Sequence, residues 1–288
     1  MIILDSPEKM RAWRRSHPVN SQVGLVPTMG ALHEGHASLL RRMRERCNAR
    51  VLSIFVNPAQ FGPSEDLARY PRPIERDLEI AAQEGVDGVF LPTPDQMYPE
   101  GYSTYLDENR ISVPLCGHFR PGHFRGVATI VLKLFHLVQP HLAFFGLKDA
   151  QQFLLLRKIV QDLNLDLEIE GIPTVRESDG LALSSRNLAL SPQEREKAPL
   201  LYQVLQETQS ALERNFRQNS KAPGAVLLTG RNRLEAEGFR GQYLDCLQLP
   251  ELTPLTPTLK AENQYLLAVA ATLGKTRLID NVFFELAR

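Results

Sequence analysis

The stretch VGLVPTMGALHEGHASLL, residues 23–40, passes from an apolar, β-branched run into a helical pattern across a short polar junction. VGLVPT (23–28) reads as a buried strand, and residues 36–47 as an amphipathic helix, so the junction is the strand end and helix start of a β-α unit. A helix start of this kind offers unsatisfied backbone N–H groups at the positive end of a dipole, which suits phosphate. Gly30 and Gly35 let the backbone approach a ligand closely. His33 and His36 can donate hydrogen bonds to phosphoryl oxygens as charge builds in a transition state. Zinc is the competing reading, because HEGH resembles the HExxH pattern. Its spacing is one residue short, and neither a cysteine cluster nor a third ligand accompanies it, so no protein metal site is expected.

The β-α pattern recurs outward from this unit. ARVLSIFV (49–56), VDGVFLP (86–92), PHLAFFG (140–146) and LDLEIEGI (165–172) read as further buried strands, with helical patterns over 74–84, 124–138 and 149–163. Strands alternating with helices predict an α/β fold, a Rossmann-like parallel sheet flanked by helices. Such sheets bind ligands at the carboxyl ends of their strands, where PTMG, VNPAQFG and FFGLKD fall. Past residue 187 the texture changes. SPQEREKAPLLYQVLQETQSALERNF (191–216) reads as one long helix with a Ser cap and Pro in its first turn, followed by strand candidates GQYLDCLQL, QYLLAVAAT and TRLIDNVFFE. The expected organisation is a domain over 1–187 that binds the ligands and a smaller C-terminal α+β domain over 188–288, serving as a lid or a dimer partner.

The chain has 288 residues, 43% hydrophobic and 23% charged, the balance of an ordinary globular protein. Its 33 basic and 33 acidic residues cancel, which argues against nucleic acid or an anionic membrane surface as partner. Three well-separated cysteines, Cys47, Cys116 and Cys246, fit reduced thiols better than a disulfide framework. With no long apolar run and no leader-like start, a cytoplasmic location is expected.

Two more segments carry chemistry. FFGLKDAQQFLLLRKI (144–159) repeats the strand-to-helix junction, placing Gly146, Lys148 and Asp149 at a helix start where Lys148 can meet a phosphate. Alone, Lys148 reads equally as a solvated first-turn lysine. Gln151 and Gln152 supply neutral donors and acceptors for a hydroxyl or carboxylate. RESDGLALSSRN (176–187) carries Ser184, Ser185 and Arg186 in a row, two hydroxyls and a planar fork of donors suited to a polyphosphate. Taken alone it also reads as a polar hinge. Asn57 and Gln60 stand on the loop 56–72.

PTMGALHEGH, FVNPAQF, RPGHFRGV, FGLKDAQQ and LALSSRN, in this order and spacing along nearly the whole chain, resemble the pantothenate synthetase family, the pantoate–β-alanine ligases. The first motif alone indicates only the wider nucleotidylyltransferase superfamily. The resemblance implies that Met29, Gly30, Ala31, Leu32, His33, Glu34, Gly35, His36, Gly146, Leu147, Lys148, Asp149, Val175, Leu183, Ser184, Ser185 and Arg186 form the ATP site. His36 matches the family's proton donor, with His33 and Lys148 beside it as catalytic residues. Gln60 matches a residue shared by pantoate and β-alanine, and Gln152 a second pantoate contact. Asn57, Arg120 and His123 lie in family motifs. Mg²⁺ is implied as the companion of ATP, and a homodimer as the assembly. Some members carry acidic metal-contact pairs after YPR, where this chain has Arg76 beside Asp77, so the ion is expected on ATP oxygens and water. The implied reaction is condensation of pantoate with β-alanine through pantoyl adenylate, releasing AMP and pyrophosphate. The rivals are a transferase acting on a phosphorylated acceptor, a tRNA synthetase relative and an ATP sensor.

Overall fold

A computed structural model describes residues 1–18, 20–62, 67–218, 223–255, 260–261 and 263–286. Residues 63–66 of the loop 56–72 lie outside these. The chain forms two compact units. The first comprises Met1–Ser112, Arg120–Leu147 and Gln151–Thr174, and the second Val113–Phe119, Lys148–Ala150 and Val175–Arg288.

In chain order the elements up to Thr174 are β1 (Ile2–Leu4), α1 (Pro7–Ser16), β2 (Val23–Thr28), α2 (Glu34–Arg46), β3 (Ala49–Ile54), α3 (Ile74–Gln83), β4 (Gly88–Phe90), α4 (Pro94–Met97), α5 (Cys116–Phe119), α6 (His123–Val138), β5 (Leu142–Gly146), α7 (Ala150–Asp162) and β6 (Glu168–Ile172). The six strands of the first unit make one parallel sheet in the order β1-β4-β3-β2-β5-β6. Its inner strands are apolar on both faces because helices cover both; Val26, Leu52, Val89 and Phe144 are fully buried. The chain runs outward from β2 to β3 and β4, then returns to place β5 on the other side of β2. That reversal leaves a crevice at the carboxyl ends of β2 and β5.

The second unit adds α8 (Pro192–Lys197), α9 (Leu200–Arg217), α10 (Pro223–Ala236), β7 (Arg240–Gln248), β8 (Thr253–Pro254), β9 (Gln264–Leu273) and β10 (Thr276–Glu285). Its sheet is antiparallel, in the order β10-β9-β7-β8. α9 buries Leu201, Val204, Leu205, Thr208 and Leu212, the spacing of one helical face, in a core shared with Leu234, Leu244 and Leu267. Among the described residues no helix is long and apolar enough to cross a membrane.

The α/β architecture and the three late strands agree with the sequence reading. The helix expected over 191–216 is two helices. Ser191 and Glu194 form a capping box at the start of α8, and Pro199, which lacks an amide donor and crowds the preceding turn, separates α8 from α9. The second unit begins at Val175 rather than at residue 188, and it takes in two short upstream segments. The reason is a local pairing: Leu183 N–H donates to the Val175 carbonyl (3.0 Å) and Arg176 bridges Ala182, so the segment folds back on itself through Gly180 at φ +93°.

Candidate functional site

The loop leaving β2 is built by its own backbone and one buried carboxylate. Thr28 Oγ1 accepts from Gly30 N–H at 3.2 Å. Gly30 at φ +83° and Ala31 at φ +52° turn the chain back, and a Cβ on Gly30 would stand 2.9 Å from Asp77 Oδ2. Asp77, on α3 and 0% exposed, accepts from Ala31 N–H at 2.8 Å and from Leu32 N–H at 2.7 Å. Asp77 thus anchors this loop. With both carboxylate oxygens given to backbone amides, it does not present a metal-ligand face. Among the described residues no group of three or more His, Cys, Asp or Glu side chains is placed to hold a metal ion.

The two histidines that follow form a reciprocal cap. His33 is the N-cap of α2; its Nδ1 accepts from Gly35 N–H at 3.1 Å, and His36 Nδ1 accepts from His33 N–H at 3.3 Å. A nitrogen that accepts cannot carry the proton, so each imidazole is assigned its proton on Nε2. The rings stand 4.1 Å apart between centroids, at the positive end of α2. Gly35 is required beside them, since a Cβ there would lie 2.9 Å from His33 Cε1. The Glu34 carboxylate pairs with Arg41, leaving its backbone as the part that serves the helix start.

Gln60 is oriented by a chain of groups whose polarity begins in the backbone. Asn57 caps the 3-10 turn Pro58–Gln60: its Oδ1 accepts from Ala59 N–H (3.3 Å) and from the Tyr98 hydroxyl (2.8 Å), and its Nδ2 donates to the Gly126 carbonyl (3.1 Å). A backbone amide can only donate and a carbonyl only accept, so the Asn57 amide has one orientation. Its Nδ2 also donates to Gln60 Oε1 (3.1 Å), which turns Gln60 Nε2 toward Met29 Sδ at 2.8 Å. Gln60 therefore offers a donor beside the β2 loop. Arg120 donates to His123 Nε2 (3.0 Å), and His123 Nδ1 donates to the Gln60 carbonyl (2.8 Å). Gly126 lets α6 approach this turn, because a Cβ would stand 2.1 Å from the Ala59 carbonyl oxygen. Burial raises the pKa of the Tyr98 hydroxyl, keeping it a donor.

On α7 the two glutamines differ. Gln151 is buried and donates to the Ile111 carbonyl at 2.8 Å, a structural tie, while Gln152 is half-buried one position on. Gly146 ends β5, the strand beside β2, and Leu147 opens the 3-10 turn Leu147–Asp149.

In the second unit, Lys148, Ser184 and Arg186 line one cleft. The Lys148 side chain is 16% exposed, its Nζ lies 3.7 Å from Asp149 Oδ2, and its carbonyl accepts from Asn281 Nδ2 at 2.8 Å. Ser184 caps the 3-10 turn Ser185–Ala189, accepting from Arg186 N–H at 3.3 Å, and Arg186 is exposed. Asp280 also lines the cleft, but Arg176 neutralises it with two contacts of 2.6 and 2.9 Å.

The first unit thus brings Met29–His36 and Gln60 together, and the second brings together Lys148, Ser184 and Arg186. Sequence reading missed the tasks of Asp77, Tyr98 and Asn281. Each has its partner far away in sequence, so no local pattern marks it.

A parallel sheet with its strand-order reversal at a glycine loop, a neutral histidine pair at a helix start and a cationic cleft define a nucleotide-using enzyme that acts at phosphate. The family model for pantoate-beta-alanine ligase matches residues 2–283. Pantothenate synthetases from Pelotomaculum thermopropionicum and Citrifermentans bemidjiense are 48% and 49% identical, each over 98% of both chains. The crystal structure of pantothenate synthetase from Thermus thermophilus superposes with a TM-score of 0.87 at 43% identity, covering 98% of this chain and 99% of that one. Pantoate-beta-alanine ligase from Francisella tularensis, complexed with beta-gamma ATP and beta-alanine, superposes at 0.80 with 33% identity, covering 98% and 97%. The chain belongs to the pantoate-beta-alanine ligase family and is an enzyme of the ligase class.

Proposed function

We propose that the chain condenses pantoate with β-alanine in two steps, using ATP as its Mg²⁺ complex. A pantoate carboxylate oxygen attacks the α-phosphorus, the bond to the β-phosphate oxygen breaks, and pantoyl adenylate and pyrophosphate form. The neutral amine of β-alanine then attacks the acyl carbon, loses a proton, and expels AMP. The carboxylate must be activated because it resists amines near neutral pH.

The observation that carries this reading is the polarity of the histidine pair. With both Nδ1 atoms accepting backbone hydrogens, Nε2–H donors stand at a helix N-terminus, where they stabilise charge growing on phosphoryl oxygens without adding a full positive charge. His36 and Lys148 act on the α-phosphoryl group, and Ser184, Ser185 and Arg186 hold the pyrophosphate. Gln60, presenting a donor, suits an acceptor on pantoate, and Gln152 supplies the second contact. Mg²⁺ is held by ATP oxygens and water, in keeping with the use of Asp77 as a loop anchor. We place the enzyme in the cytoplasm as a homodimer, with no nucleic-acid or membrane partner.

Isotope exchange tests the route. With pantoate and Mg-ATP but no β-alanine, labelled pyrophosphate should enter ATP, and exchange should stop when pantoate is omitted. Active enzyme that makes pantothenate without pantoate-dependent exchange, and without bound adenylate in a quenched turnover, would exclude the adenylate.

A further inference from the structure

Among the described residues the buried side-chain polar atoms that have no hydrogen-bond partner are Ser53 Oγ, Asn187 Oδ1 and Arg277 Nη2. Two of these three residues, Asn187 and Arg277, line the cleft that holds Lys148, Ser184 and Arg186. Arg277 sits at the start of β10, and its Nε donates to Gln242 Oε1 on β7 at 2.8 Å, which holds the guanidinium to the sheet. The group is permanently charged, and a buried donor left unpaired is costly, so the position is explained best by a partner that arrives with the ligand. Among the described residues that line the cleft, the carboxylate is Asp280, already engaged by Arg176.

We infer that Arg277 is an anion-binding residue of this cleft, taking phosphoryl oxygens of the nucleotide polyphosphate and of the pyrophosphate product through Nη2. The inference rests on the proposed function for the nature of the ligand, and on the unpaired Nη2 of Arg277 for the residue. Three cationic side chains, Lys148, Arg186 and Arg277, with the Ser184 hydroxyl, match a polyanion with several oxygens rather than a single carboxylate. Asn187 Oδ1, an acceptor, suits a hydroxyl or a water on the same ligand. Burial raises the pKa of the neighbouring Tyr243 hydroxyl, while Arg277 pulls against that shift through its charge and a side-chain hydrogen bond, so the guanidinium is tied to the sheet at Gln242 and Tyr243 and keeps Nη2 unpaired.

The test is a titration of the intact enzyme with inorganic pyrophosphate, and separately with Mg-ATP, in Arg277→Gln and Arg277→Lys, with thermal melts as the check of folding. Arg277→Gln should weaken pyrophosphate about tenfold or more, the effect of losing a charge-assisted hydrogen bond, and raise the KM for ATP similarly. Arg277→Lys should recover part of both, and the KM for pantoate should stay within about twofold of wild type, less than the loss of one hydrogen bond would cause. Pyrophosphate affinity unchanged in a folded Arg277→Gln, or a wild type that binds no pyrophosphate, overturns the assignment. Should the variants not fold, a crystal structure of the wild type with pyrophosphate decides: an oxygen within hydrogen-bond reach of Nη2 supports it, and a ligand seated in the cleft with Nη2 still unpaired refutes it. A wild type that binds pyrophosphate but makes no AMP from ATP, pantoate and β-alanine refutes the proposed function instead, leaving Arg277 to be judged by the titration.

Discussion

The loop Met29–His36 and the turn Ser184–Ala189 are both polar, both start a helix-like segment and are both assigned to phosphate, yet they are held in place differently. The first is fixed from below by Asp77, which is 0% exposed and takes two successive amides, and from within by the reciprocal histidine cap. The second is capped by its own Ser184 and leaves Arg186 exposed. Atoms that stabilise a transition state must be placed before the charge appears, because reorganising them during the reaction costs what they would return. A clamp for a leaving group has only to match the charge of a bound polyanion. On the proposed mechanism, the difference pairs rigidity with the bond-making step and tolerance with the holding step.

The strongest way to break this comparison is at the proposed chemistry itself. His36→Ala and Lys148→Ala should each lower turnover about 10²-fold or more, the usual cost of a lost oxyanion donor. Single-turnover kinetics with unchanged circular dichroism would check this, and near-normal turnover in either variant removes that residue from the mechanism.

Asp77→Ala comes next. It strands two backbone N–H groups, that of Leu32 buried and that of Ala31 partly so, each worth up to about 1–3 kcal/mol, so denaturant melts should show a loss of about 2 kcal/mol or more together with a fall in kcat. If turnover held while stability fell, the anchor would be structural only. Ser184→Ala is the matched change in the second region, and should cost about 1 kcal/mol of stability, as for a lost cap.

Tyr98→Phe removes the hydroxyl that donates to Asn57 Oδ1, while the Ala59 amide and the Gly126 carbonyl still hold that amide in orientation. Its loss, about 1 kcal/mol, should raise the KM for pantoate about fivefold and leave that for ATP unchanged. Gln152→Ala should act on pantoate in the same selective way. Equal weakening of ATP and pantoate would show disturbed packing instead.

The smallest effect is chemical. Burial pushes the Cys47 thiol up to about 11 and the Cys246 thiol up to about 12, so both should stay largely unalkylated at pH 8 in the native protein and react on unfolding. Rapid native labelling of Cys47, which packs beside Gly24 of β2, would mean that the first region opens more than its hydrogen bonds suggest.

What could be read without coordinates was whatever repeats at the period of a strand or a helix, or sits in one short motif. β2, β3 and β5, the helices α2, α3, α6 and α7, and the late strands β7, β9 and β10 all show such patterns, and the residues assigned to ATP lie in contiguous runs such as PTMGALHEGH and LSSRN. β1, with three residues, and α10, whose apolar residues follow no face, lacked that signal. Tertiary structure alone decided that Asp77 holds a loop 45 and 46 residues away, that Asn57 fixes which end of Gln60 faces the site, and that Arg277 belongs to the cleft of Lys148. Local sequence carries periodicity because neighbours share a backbone geometry. A hydrogen bond between distant residues has no period, and its polarity is set only when folding brings a donor against an acceptor.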